Sequence, residues 1–150
     1  MRTFSSIDEL LTAVGEDLGS SDWLEITQEQ VNLFADATGD HQWIHVDPAR
    51  AKDGPFGTTI AHGYLTLSLL PQLVHQIYHV DGVQMGINYG LNKVRFPSPV
   101  PVGARVRATA TLSDAKTVTG GVQAETTVSI EIEGSGKPAC VAVSVVRYYG

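Results

Sequence analysis

Asp40 and His45 stand five residues apart in the stretch FADATGDHQWIHVDP, positions 34–48. A carboxylate and an imidazole at that distance can share a proton-transfer task near neutral pH, where imidazole ordinarily changes charge. Taken alone, such a pair is more often a helix cap and a solvated acid. The segment downstream gives it weight. Ala61-His62-Gly63 opens Tyr64 to Leu70, the most apolar run of the chain. The first N–H groups of a helix have no partner within it and favour negative charge. The Gly63 N–H is therefore expected to bind the carbonyl oxygen of an acyl substrate, where a donor stabilises a developing enolate. The bland alternative is that Gly63 only permits close packing. The pattern favours acid–base chemistry by Asp40 and His45 on an oxygen ester or thioester.

Other chemistries leave weaker marks. His41/His45 and His75/His79 are both H-x3-H pairs, and the second is expected to share a helix face. Neither has a suggested third ligand, there is no HExxH, and the lone Cys140 sits in a strand, so no metal is expected. There is no G-x-S-x-G, GxGxxG or P-loop, which argues against a serine nucleophile and a bound nucleotide cofactor. Lys93, Arg95, Arg105 and Arg107 fall on exposed strand faces, either as a solvated face or as partners for a phosphate tail.

Local signals define the elements that must hold these residues. Ser6-Ile7-Asp8-Glu9 is a capping box, followed by a short helix with Ile7, Leu10, Leu11 and Val14 on one face. Trp23 to Ile26 is a strand. Thr27-Gln28-Glu29-Gln30 caps a helix carrying Val31, Phe34, Ala35 and Thr38 on one face, closed by a left-handed Gly39. Asp40 to His45 is a loop, and Asp47-Pro48 starts a short helix through about Lys52. A helix from His62 to about Tyr78 is buried on all sides in its first half, with a kink or split at Pro71. Val83 to Gly90 and Leu91 to Phe96 read as two strands, and Pro97 to Gly103 as a rigid turn. Alternation with period two over 104–112 and 122–132 predicts long strands with one buried face. Gly120-Gly121 and Gly134-Ser135-Gly136 mark turns, and Cys140 to Tyr149 is the last strand. Antiparallel strands curled on a buried helix make an α+β protein.

The bulk properties bound the function. With 150 residues, one domain over 1–150 is expected. A net charge of -6 argues against nucleic acid as a partner. One cysteine excludes an intramolecular disulfide and suits a reducing compartment. MRTFSSIDELL carries acids and no continuous apolar core, so it is not a secretory signal. No apolar run approaches a membrane span. A cytoplasmic protein with no membrane contact is expected.

Three ordered motifs carry a family resemblance. Phe34-x4-Gly39-Asp40-x4-His45-x5-Ala51 resembles the hydratase motif of the MaoC-like, (R)-specific enoyl-CoA hydratases. Phe56-Gly57-x3-Ala61-His62-Gly63 resembles the start of that family's central helix. Val94-Arg95-Phe96-x2-Pro99-Val100-x2-Gly103 resembles its later strand-turn signature. The resemblance covers roughly Thr27 to Leu112 and is close to the bacterial (3R)-hydroxyacyl-thioester dehydratases. It implies a hot-dog fold, a long central helix wrapped by an antiparallel sheet, and a homodimer. It implies reversible hydration of a trans-2-enoyl thioester to the (3R)-3-hydroxyacyl thioester, presented by CoA or acyl carrier protein, with no metal or organic cofactor. Asp40 and His45 take the catalytic dyad positions, and Gly63 the oxyanion donor.

The same resemblance places Gln42, Ile60, Ala61 and His62 against the substrate. It places Gly86, Ile87, Asn88 and Tyr89 beside the acyl-pantetheine channel, and Pro97, Ser98 and Pro99 near its mouth. Gln42-Trp43 stands where the family commonly has Asn-Pro, which keeps the amide and sets a bulkier Trp43 at the pocket mouth. Leu65 and Leu69 are either tunnel lining or core. The alternatives are a hot-dog thioesterase and a non-catalytic acyl-binding module. A thioesterase usually places a carboxylate on or near the central helix, and Tyr64 to Leu70 has none.

Overall fold

Period-two patterning shapes the C-terminal half as expected, and local capping shapes much of the rest. The computed structural model describes residues 1–150. In chain order the elements are β1 (Arg2–Phe4), a 3-10 helix (Ile7–Thr12), β2 (Asp17–Ser20), β3 (Leu24–Glu25), α1 (Gln28–Thr38), α2 (Trp43–Val46) and α3 (Pro48–Ala51). Then come α4 (Gly63–Ser68), α5 (Leu70–Val74), β4 (Tyr78–Val80), β5 (Met85–Arg95), β6 (Arg105–Val118), β7 (Gly121–Ile132) and β8 (Cys140–Tyr149). The main sheet runs β2-β6-β7-β8-β5, with β3 also on β6, and every pair in it is antiparallel. It curls over α4 and α5, with α4 against β8 and α5 against β6. This is the hot-dog arrangement.

The inward faces of β6 and β7 form the core floor. Val106, Ala108, Ala110 and Leu112 alternate outward with Arg107, Thr109 and Thr111, and Val122, Ala124, Val128 and Ile130 do the same on β7. Cys140 is fully buried at the start of β8. Burial pushes its thiol up to about 11. Cys140 should therefore resist a disulfide reagent at pH 8 in the native protein and react at once in denaturant, a difference that a thiol titration reads directly.

Several expected elements differ, each for a physical reason. The first helix is 3-10, so its buried face repeats every three residues. Leu10 and Ala13 lie in the core while Leu11 and Val14 are exposed. The central helix is not one long element. It divides between Ser68 and Leu70 and ends at Val74. Pro71 lacks the N–H that would bond Leu67, and its ring crowds that carbonyl. Nor is its first half buried all round: Leu65 and Thr66 are buried, whereas Tyr64 and Ser68 face out. Leu65 and Leu69 belong to the core.

The two strands expected over 83–96 are one, β5, because no turn dipeptide separates them. Its register on β8 shifts at Tyr89 and again at Asn92, each an extra residue against its partner strand. One strand pairing was not legible locally. Arg2–Phe4 lies parallel to Tyr78–Val80, which buries Phe4 completely. The expected His75/His79 helix face is absent, since His79 sits in β4 and pairs with Asp81 at 3.1 Å.

Candidate active site

Three short elements bring the candidate residues together. Thr27 caps α1 by accepting from the Gln30 N–H, as the capping box predicted. At its other end Gly39 has φ 82°, a left-handed conformation that turns the chain sharply off the helix. Asp40 emerges exposed from that turn, with Oδ1 accepting the Gln42 N–H at 3.3 Å. The expected loop at His45 is in fact one helical turn, α2, in which the Gln42 carbonyl accepts the His45 N–H at 3.0 Å. Asp47 closes α2 and caps α3 through the Arg50 N–H at 3.1 Å.

Trp43 does not line the cleft along α4 and α5. Its ring lies under the Arg50 guanidinium at 4.3 Å and against Gly54, where an added Cβ would come within 3.0 Å of it. Gln42 is exposed at the start of α2.

The segment Thr59–His62 is clamped from both sides. Ile60 N–H donates to the Ile44 carbonyl, Ala61 N–H to Val100, and Val102 N–H to Thr59. Gln28 ties this segment to α2. Its amide donates to the His45 carbonyl at 2.7 Å and accepts from the Thr59 hydroxyl at 2.5 Å. Gln28 carried no sequence signal beyond its place in a capping box. Its role depends on two segments remote in the chain.

His45 is buried, and its Nδ1 lies 2.7 Å from the Ile60 carbonyl. A carbonyl can only accept, so Nδ1 carries the proton and neutral His45 keeps its Nε2 lone pair free. His62 stacks on His45 with ring centroids 3.9 Å apart. Its Nε2 donates to the Asp40 backbone carbonyl at 3.0 Å, and its Nδ1 is buried without a partner. Asp40, His45 and His62 each offer an atom within 4.8 Å of the others. His62 is thus the third member of a cluster, set against both Asp40 and His45; sequence spacing had suggested no third ligand. That trio has a composition that could also hold a metal ion. Beside it, the Asp36 carboxylate 3.0 Å from His41 raises that imidazole above its usual range.

Gly63 is the first residue of α4, and no backbone or side-chain acceptor takes its N–H. The Phe96 ring packs on its Cα so closely that a Cβ would meet it at 3.3 Å. Pro97, Ser98 and Pro99 continue from Phe96 at the surface. Ile60 and Ala61 are buried, and of the Ile60 polar atoms the carbonyl is the one that serves the site.

A cleft of about 520 Å³ lies along the open side of α4 and α5, over β5, β7 and β8. It contains neither Asp40 nor His45. It begins at Leu67, one helical turn from Gly63, or about 6 Å. Gly86 and Asn88 line it, whereas Ile87 and Tyr89 do not. The pleat turns Ile87 to the other face, and Tyr89 is the bulged residue, with its ring 3.6 Å from the Arg147 guanidinium carbon. Among the basic residues, Arg105 pairs with Glu133 and Arg107 with Glu131 across the strands. They are a structural face rather than free phosphate ligands.

Comparison with known proteins gives the family. The model of the MaoC like domain matches residues 9–133. This chain belongs to the MaoC-like dehydratase family. It is 66% identical over 149 residues to 3-hydroxyacyl-thioester dehydratase Z of Mycobacterium tuberculosis strain H37Rv, with 99% of each chain covered. It is 43% identical to nodulation protein N of Rhizobium leguminosarum bv. viciae, covering 95% of this chain and 92% of that one. The (R)-hydratase from A. caviae involved in PHA biosynthesis superposes with a TM-score of 0.72 at 28% identity, over 89% of this chain and 94% of that one. As a MaoC-like dehydratase the chain is a hydro-lyase: it adds or removes water. No helix is long and apolar enough to cross a membrane.

Proposed function

We propose that this MaoC-like enzyme reversibly hydrates trans-2-enoyl thioesters to (3R)-3-hydroxyacyl thioesters, with Asp40 and His45 as the acid–base pair. The observation that carries the reading is the buried His45, whose Nδ1 is held by Ile60 so that Nε2 is free, with a ring nitrogen within 4.8 Å of the Asp40 carboxylate. A water held between these groups loses a proton to one of them as its oxygen bonds to C3. The double-bond electrons move toward the thioester carbonyl, and the Gly63 N–H meets the charge that develops on that oxygen. The proton taken from the water is then delivered by the pair to C2, which completes the addition, and dehydration is the reverse. Every step uses groups of this chain, so no metal or organic cofactor is invoked. The substrate is an acyl thioester of CoA or acyl carrier protein, and its acyl chain runs from Gly63 along α4 into the cleft.

Crotonyl-CoA tests the reading. Loss of the enoyl absorbance with formation of the (R)-alcohol, unchanged after dialysis against EDTA, is expected. Release of free thiol instead would identify a thioesterase, and loss of activity with EDTA would assign the Asp40, His45 and His62 cluster to a metal.

The homodimer belongs to the same proposal. β5 has β8 on one side only and presents Met85, Tyr89 and Leu91 to solvent. A long unpaired edge with large apolar side chains is otherwise an aggregation site. The protein should sediment as a dimer, and Leu91→Lys should shift it toward monomer; a stable wild-type monomer at micromolar concentration would overturn the assignment.

A further inference from the structure

The cleft beside α4 and α5 is apolar along its helical wall, where Leu67, Leu70, Pro71 and Val74 lie. Its sheet floor is different. Thr126 sits on the inward face of β7 between Ala124 and Val128, is 3% exposed, and its hydroxyl has no hydrogen-bond partner. Valine has nearly the same shape and would leave nothing unpaired there, so the hydroxyl adds a desolvated polar group to a surface that needs none for packing. Ser144 faces Thr126 directly across the β7–β8 pairing, and both line the cleft. Asn88 adds an amide from β5.

At the far wall the Tyr78 and Tyr148 hydroxyls lie 2.7 Å apart. One bond between two hydroxyls leaves one of their hydrogens over. Burial and its tyrosine partner hold the Tyr148 hydroxyl protonated far above neutral pH, so the pair remains a donor.

We propose that this floor is a polar subsite, and that the acyl chain the enzyme prefers carries a hydroxyl or ketone oxygen at a distance from its thioester. The inference rests on the acyl thioester reading of the active site and specifies its substrate class. The Thr126 hydroxyl is already closed off from solvent, and a plain alkyl chain would leave it unpaired. An oxygen at the right depth would pair it. Sites that hydrogen-bond a substrate hydroxyl discriminate strongly against the analogue lacking it, because the protein group is then stranded.

Calorimetric titration separates this from the chemistry. The probes are decanoyl-CoA and the same chain carrying one hydroxyl or one ketone, moved carbon by carbon from the middle to the end. None has a double bond to hydrate, so affinity reads the cleft whether or not Asp40 and His45 act as proposed, and crotonyl-CoA hydration is measured separately. At one position the oxygenated chain should bind about tenfold or more tighter than decanoyl-CoA. In Thr126→Val that ratio should fall severalfold while decanoyl-CoA binds better. Equal affinity for all chains, a ratio that Thr126→Val leaves unchanged, or no binding by any of them would overturn the proposal. Equal affinity would mean that Thr126 is only a packing residue of the floor.

Discussion

Asp40→Asn and His45→Ala should each lower kcat for crotonyl-CoA hydration by about 10²- to 10⁴-fold. The two substitutions differ in what else they disturb. Asp40 is exposed, and its side chain accepts only one long hydrogen bond, from Gln42. Its asparagine should melt with the wild type. His45 is buried, bonds the Ile60 carbonyl and stacks on His62. His45→Ala strands that carbonyl and should cost about 1–3 kcal/mol of stability, since an unpaired buried acceptor loses its solvation without return. A melting curve recorded beside the kinetics should show the variant folded at assay temperature, so that lost turnover reports chemistry. The double variant should be scarcely slower than the worse single one, because groups that act on one water fail together. Near-normal turnover in either single variant would remove that residue from the dyad.

Gly63→Pro should lower kcat by about 10²- to 10³-fold, and Gly63→Ala by much less. Proline at the first helical position removes a single donor and keeps the helix, because the first N–H has no intrahelical partner. The residue before proline must be extended, and His62 already is, with φ -58° and ψ 137°. Both replacements press on the Phe96 ring, which is half exposed and can give way. Alanine therefore measures the steric cost and proline the steric cost plus the lost N–H. Steady-state hydration kinetics of the pair decide the matter. Equal losses would make Gly63 a packing residue and not an oxyanion donor.

What the sequence determined by itself was set by neighbours in the chain. The Thr27 cap, the left-handed Gly39, the Asp47-Pro48 start of α3 and the alternation of β6 and β7 each arise from a few adjacent residues. So does the juxtaposition of Asp40 and His45, which needs only a helix end and a turn. The motif resemblance extended this to Gly63 and to the hot-dog fold. Tertiary structure decided the rest, because the deciding partners are remote. The Ile60 carbonyl fixes the His45 tautomer from 15 residues away, and Gln28 braces it from 17. His62 becomes a dyad neighbour only when the 59–62 segment is clamped between α2 and Val100–Val102. The bulge at Tyr89 decides which residues of β5 face the cleft, and only the β8 register creates that bulge. Thr126 reads as one more alternating strand residue until the fold places it, unpaired, on the floor of a cleft.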